Sequence, residues 1–330
     1  MTVASGLGSQ VGVAAESTYG TYVTATTFVQ ALSVNLKKVK NTTQDTGLQA
    51  GRLLPLGSRR VTTTKGGEGS IKFNAVNKGM GIFLQALMGT AVTPVQQAST
   101  AAYLQTHTLA DSFGKSLSIQ SGVPDLSGTV RPYTFLGCRV TDATFTVEVD
   151  KDVECEFSID AQDVSESQSL ATASYATGTR QFVGTDATIK VGSYGSESSV
   201  TGVTKATVKI ERPMKADRFY LGASGLKAQP VANDFVKISG TITADYVDKT
   251  VWADRFRDDT AFSLVIELVG TQISGSYYNT LRITLPQCYL DGDTPVVESA
   301  DIVSGDFPFV ATFDGTNLPK IEYISTDTSI

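Results

Sequence analysis

The chain has 330 residues, 41% apolar and 18% charged, which excludes an extensively disordered protein and suffices for two ordinary domains or one large β unit. Its net charge is −6, with 13 basic and 13 acidic groups in residues 1–165 against 14 and 20 in residues 166–330. That balance excludes a global electrostatic pull toward nucleic acid or anionic lipid.

Residues 1–27 are small and polar, centred on "GSQVGVAAESTYGTYVTATT". They read as an arm lying on its own body or on a neighbour. The stretch from Met1 to Gly12 has neither a basic n-region nor an apolar h-region, so a soluble chain made in the cytoplasm is expected. From Thr27, "FVQALSVNLKKV" alternates as a strand with Leu32, Val34 and Leu36 on one face. Asn41 to Gly67 reads as a long irregular loop, rich in glycine and carrying Arg52, Arg59, Arg60 and Lys65. A connection of that length signals function or an interface.

"EGSIKFNAV" returns to strand alternation. "NKGMGIFLQALMG" places Met80, Phe83, Leu84, Leu87 and Met88 at helical spacing, with Asn77 as a candidate N-cap and Gly89 as the stop. After a loop over 90–103 come the strands "LQTHTLA", "KSLSIQSG", "YTFLGCRVTDATFTVEVD" and "DVECEFSIDAQD". The last turns Val153, Cys155, Phe157 and Ile159 one way and Glu154, Glu156, Ser158 and Asp160 the other.

Residues 164–181, "VSESQSLATASYATGTRQ", carry little apolar mass and read as a linker. The same list then recurs. "VTKATVKIERP" is a strand with Ala206, Val208 and Ile210 inward. A second long loop over 213–235 holds Arg218 and Lys227. "VKISGTITADYV" is a strand, and "DKTVWADRFRDDT" a short helix that Asp248 can cap. "AFSLVIELVG", "NTLRITLPQCYL" and "VVESADIVSGDFPFVATF" complete it.

Spacing aligns the halves. Gly69-Ser-Ile71 answers Gly240-Thr-Ile242, Leu117-x-Ile119 answers Leu264-x-Ile266, Cys138 answers Cys288, and nineteen residues later Phe157 answers Phe307. Antiparallel β units share some of this pattern by chance, but the common order of strand, long loop, strand, helix and strands favours duplication. The expected fold is mainly β: two tandem β-sandwich or barrel domains, each with one short helix and a long inter-strand loop. Their bounds are an arm over 1–27, a first domain over 28–163, a linker over 164–181 and a second domain over 182–330.

Chemistry is hard to find. His107 is the single histidine, on a strand. The three cysteines, Cys138, Cys155 and Cys288, sit in strand-like apolar settings, which suits small buried hydrophobes better than a disulfide framework. "GLGSQVG" and "KGGEGS" lack the spacing of phosphate-binding loops, and "DGD" at Asp291 lacks the remaining ligands of a calcium loop. No cofactor and no catalytic activity are expected. The oversized loops, arm and acidic balance describe a subunit that assembles.

"LGSQVGVAAESTYGT", the strand and Arg/Gly loop after it, and "KSLSIQSG" leading to "YTFLGCRVTDATFTVEVDKDVECEFSIDAQD" resemble the major tail tube proteins of long, non-contractile bacteriophage tails. The resemblance covers most of residues 5–165 and, more weakly, 185–320. It implies a β-sandwich flanked by a helix, assembled into rings that stack into a tube through which double-stranded DNA passes without specific binding. A duplicated tube domain implies a trimeric ring with pseudo-sixfold symmetry, a single one a hexamer. The second copy departs from the pattern: it lacks the loop at 90–111, and its helix is polar. The resemblance also implies a virion protein with a tape measure protein and a tail terminator as partners. A capsid decoration or receptor-binding module is the alternative.

Within that reading, strand alternation makes Glu148, Glu154, Glu156, Asp160, Asp245 and Glu267 candidates for an acidic lumen row, because carboxylates repel phosphate where basic groups would hold it. Arg52, Arg59, Arg60, Lys65, Arg218 and Lys227 are candidates for contacts between rings or subunits.

Overall fold

The computed structural model describes residues 5–292 and 302–330. In chain order the first half holds β1 (Gln10–Ala15), β2 (Thr27–Val29), β3 (Ala31–Val34), β4 (Lys37–Gln44), β5 (Arg60–Asn74), α1 (Gly81–Met88), β6 (Val95–Gln96), β7 (Tyr103–Thr108), β8 (Leu117–Pro124), β9 (Val130–Glu148), β10 (Glu154–Ala161) and β11 (Asp163–Ser165). The second holds β12 (Ala187–Gly192), β13 (Ser198–Ser199), β14 (Val203–Glu211), β15 (Met214–Lys215), β16 (Val231–Ala232), β17 (Lys237–Asp245), α2 (Ala253–Arg257), β18 (Phe262–Ser274), β19 (Tyr277–Leu290), β20 (Ser304–Thr312) and β21 (Lys320–Ser325). The protein is thus mainly β, as its alternating apolar pattern requires.

The principal sheet runs β3 and β4, β5, β10, β9, β14, β17, β20, β19, all antiparallel neighbours. One face is buried along its length: Ile71, Phe157, Phe145, Val208, Ile242 and Phe307 are all at most 4% exposed. Helix α1 covers part of that face. Its Phe83 ring lies 5.1 Å from both Phe73 and Phe157, and those two stack at 5.5 Å. In the second half Trp252, at the start of α2, stacks on Phe307 at 5.1 Å. Gly89 ends α1 with φ 92°, a left-handed conformation that suits glycine. Asn77 is not the cap expected of it. The helix starts four residues later, and Asn77 exchanges hydrogen bonds with Arg180 instead. Asp248 likewise accepts from the Thr250 amide in the turn before α2, which Trp252 opens.

The pairing of the halves coincides residue for residue. Ile71 lies opposite Phe157 and Gly69 opposite Ile159; Ile242 lies opposite Phe307 and Gly240 opposite Phe309. Leu117 faces Cys138 and Ile119 faces Phe135, with a register shift between; Phe262 faces Cys288 and Leu264 faces Leu285, with a shift in the same place. The two Ser-Leu-x-Ile strings therefore align two residues away from where the sequence sets them. A slip of two keeps every side chain on its face, so alternation cannot detect it.

Of the two places expected for the N-terminal arm, residues 5–27 take the chain's own body: β1 pairs with both β2 and β8, and Val11 and Val13 are core residues. The strand and the loop expected after it both change. The strand expected from "FVQALSVNLKKV" is broken into β2, β3 and β4, and Leu32 is exposed. The loop over 41–67 is largely a long hairpin, with β4 and β5 paired out to Gln44 and Arg60. The linker over 164–181 is bound down, with Ala171 accepting from Gln10 and donating to Gln120, both at 2.7 Å. Strands β12 and β21 add to those expected, and the terminal strand expected from "VVESADIVSGDFPFVATF" begins in residues outside those described.

The halves are joined by strand pairing twice, β9 to β14 and β7 to β21. Arg212 adds a clamp: it donates to the carbonyls of Leu87 at 2.7 Å and Ala110 at 2.5 Å, at the C-terminal end of α1, where unpaired carbonyls need donors. All three cysteines are buried and free.

Candidate functional site

The principal sheet has a second face, polar from β5 to β17. Rows of paired residues carry side chains of that face across β5, β10, β9, β14, β17 and β20. One row reads Lys72, Glu156, Thr144, Lys209, Ser239 and Val310. The next reads Asn74, Glu154, Thr146, Thr207, Thr241 and Pro308. The face crosses from one half to the other without interruption, because β14 pairs with β9 in register from Lys205 opposite Glu148 to Glu211 opposite Asp142.

The six acidic residues singled out in the sequence divide here. Glu148, Glu154, Glu156 and Asp245 lie on this face, each partly exposed. Asp160 belongs to the same strand side but is covered by the 213–235 loop, where Lys227 pairs with it. Burial raises its carboxyl above the ordinary range even though Lys227 opposes the shift. Glu267 sits on β18, which pairs with β19 beyond these rows, between Lys190 at 2.5 Å and Arg282, which also reaches Glu322 at 3.2 Å. Burial works against its ionised form, yet the bonds from Lys190 and Arg282 hold it below the usual range.

The face is mixed in sign. Lys72 meets Glu154 at 2.7 Å, Lys37 meets Glu68 at 3.1 Å, and Glu148 takes Lys151 at 2.9 Å and Lys205 at 3.9 Å. The hydrogen bond from Lys151 is the main reason the Glu148 carboxyl lies below its ordinary range. Lys209 is held above its own range by the bond to Glu211. Such exposed pairs add little stability, but they leave these lysines charge-compensated toward a passing anion.

The basic residues singled out also divide. Arg52, Arg59 and Arg60 stand on the projecting β4–β5 hairpin, where Arg59 binds Asp45 at 2.7 Å. Leu48 and Leu53 at its tip are fully exposed. Lys227 is buried and Lys65 half-buried instead: Lys65 binds Asp163 at 2.8 Å, and its amide donates to the Gly225 carbonyl of the 213–235 loop at 2.9 Å. Arg218 ties that loop together through the Gln229 carbonyl and the Tyr220 hydroxyl. Sequence reading missed Arg212 as a structural anchor. Its signal was an arginine ending a strand whose alternation would place it inward.

No helix among the described residues is long and apolar enough to cross a membrane. A protein-family model described as phage tail tube protein matches residues 6–313. No curated protein matches the chain.

Proposed function

Since the chain belongs to the phage tail tube protein family, we propose that it is a structural, non-catalytic subunit whose copies close into rings, and that the rings stack into a hollow conduit for DNA in the virion tail. The observation that carries this reading is the β9–β14 joint. It places two sheets of matching pairing side by side, with a common buried face and a common polar face. Repeating that step around an axis closes a barrel.

In this reading the chain holds two tandem tube domains, and three chains make a pseudo-sixfold ring. Four strands per domain give about 24 strands in the ring. At about 4.8 Å spacing and about 40° tilt the barrel circumference is roughly 150 Å and the backbone diameter roughly 48 Å. Side chains narrow the bore to roughly 35–40 Å, which admits a duplex of roughly 10 Å radius with a margin of water. Closure also removes sheet edges that would pair without control.

The polar face becomes the lumen, with Glu148, Glu154, Glu156 and Asp245 on it. Its lysines are engaged by carboxylates, so phosphates meet no continuous line of free cations and the duplex is not held by counterion release. The exposed hairpin tip, with Arg52, Leu48 and Leu53, reaches the next ring. A tape measure protein inside the tube and a terminator at its end complete the assembly.

Negative-stain electron microscopy of the concentrated protein tests the proposal. Hollow tubes with threefold or pseudo-sixfold end views are expected. Discrete spikes or featureless monomers at every concentration would overturn it.

A further inference from the structure

Arg139 of β9 and Arg212, the residue after β14, come together at the end of the joint between the halves. The Arg212 amide donates to the Thr141 carbonyl at 2.7 Å, two residues along β9 from Arg139. Both side chains are buried, Arg139 at 2% exposed and Arg212 at 7%. Arginine seldom leaves water without a carboxylate to meet it. Here, among the described residues, both guanidinium groups bond only to neutral acceptors. Arg212 donates to the carbonyls of Leu87, Met88 and Ala110. Arg139 donates through Nη2 to Ser112 Oγ at 2.7 Å. Its Nη1 donates to the side-chain oxygen of Gln229 at 2.6 Å, with that amide oriented to accept from the Gly114 amide as well. The Arg139 Nε–H is buried with no partner among the described residues.

The charges around this pair do not balance. Asp160 is taken by Lys227, and Asp234 by Lys237 at 3.4 Å and by the Phe235 amide at 2.8 Å. That leaves Asp111, whose Oδ1 accepts from the Phe113 amide at 2.9 Å. One carboxylate therefore stands near two buried cations. Burial, and then the like charge of Arg139, push Arg212 down to about 10. A positive charge in a low-dielectric interior is costly until a counter-charge joins it.

A cleft opens on the pair. Arg139, Arg212, Ser112 and Pro213 line it, and the exposed Asp111 and Asp234 stand at its mouth. Its volume of about 20 Å³ takes one guest the size of a water molecule or a halide, and excludes a phosphate.

We infer that this cleft binds a single monovalent anion, chloride, between Arg139 and Arg212. The volume admits one atom, the charge count calls for one negative charge, and the Arg139 Nε–H supplies a donor that no protein group uses. The two aspartates at the mouth turn away polyanions. The ion is structural. It fastens β9, the turn from Asp111 to Gly114 and the 213–235 loop to one another, whether or not the chain forms rings.

Unfolding of the dispersed full chain, with chloride exchanged for gluconate at constant ionic strength, tests the site. Raising chloride from about 1 to about 200 mM is expected to raise the unfolding temperature by about 2–4 °C, as a ligand of about 10 mM affinity would. Chloride NMR lines are expected to broaden in the presence of the parent. Arg139→Gln removes the charge and keeps a polar side chain. It is expected to cut the excess broadening at least about twofold and to lose the chloride dependence of unfolding. Asp234→Asn, at the mouth, is expected to keep both. An unfolding temperature indifferent to the exchange would mean a neutral guest and would overturn the inference. Broadening unchanged in Arg139→Gln would put the chloride elsewhere on the protein and overturn it too. Should Arg139→Gln not fold, anomalous scattering from parent crystals grown in bromide decides: a peak between the two guanidinium groups is expected, and none there would overturn the inference.

Discussion

Gly69 and Gly240 occupy the same place in the two halves, each pressed against a carbonyl oxygen of the neighbouring strand, 2.0 Å from where a Cβ would sit. A side chain at either site must push two paired strands apart. Gly69→Ala and Gly240→Ala are each expected to lower unfolding free energy by about 2–4 kcal/mol, as overpacking against backbone does. Gly69, at φ 146°, adds conformational strain and is the costlier of the two. Urea unfolding at equilibrium checks both; an unchanged midpoint in either would deny the close approach.

Arg212 is expected to behave as the clamp between halves. Arg212→Met keeps the apolar stem and leaves the carbonyls of Leu87 and Ala110 without their donor. The loss is about 2–4 kcal/mol, since buried acceptors lose a charged partner. Exchange protection of the α1 amides should fall more than that of β12, which lies elsewhere in the sheet. An equal fall across the chain would show a global effect and not a local clamp.

His107 is expected to give the protein a pH-dependent stability. It is fully buried on β7 opposite Ile321, at the second joint between halves, with Gln105 at 3.2 Å, and burial lowers its pKa from 6.5 to about 4. The unfolded chain takes up a proton in that interval and the folded chain does not. Stability is therefore complete above pH 6.5 and is lost as the pH falls toward about 4, by up to about 3 kcal/mol. Unfolding midpoints of the parent and His107→Leu, compared at pH 7 and pH 4.5, isolate this part; the variant should lack it.

The β4–β5 hairpin is expected to serve assembly and not folding. Its tip buries nothing within the chain, and long surface loops contribute little to closure entropy. Replacing residues 46–58 with Asn-Gly should change stability by less than about 1 kcal/mol and still allow rings, but not long tubes, in electron micrographs. Tubes of normal length would remove the hairpin from ring stacking.

The strand alternation of β10, β14 and β17 was legible in the sequence, because one face is buried and one wet and the period of two is written in every residue. Helix α1 was legible from its apolar spacing, and the pairs Gly69 with Gly240, Cys138 with Cys288 and Phe157 with Phe307 marked a repeated pattern. The four acidic residues on the polar face could be placed on a side, but alternation alone could not say that Asp160 is roofed by Lys227 or that Glu267 is enclosed by Lys190 and Arg282. Those depend on where a distant loop and a distant strand come to rest.

The order of residues dictates local matters: which side chains face together along each strand, and where a helix starts to turn away. Pairing is settled by the folded chain alone: β4 with β5 as a hairpin, β1 as a core strand, β9 with β14 across the halves, and Leu117 in line with Phe262 and not Leu264. Side-chain burial is periodic along one strand, whereas backbone hydrogen bonds between strands are nearly blind to side-chain identity. Any two strands of suitable face can pair, and the choice among them is made by the packing of the whole chain.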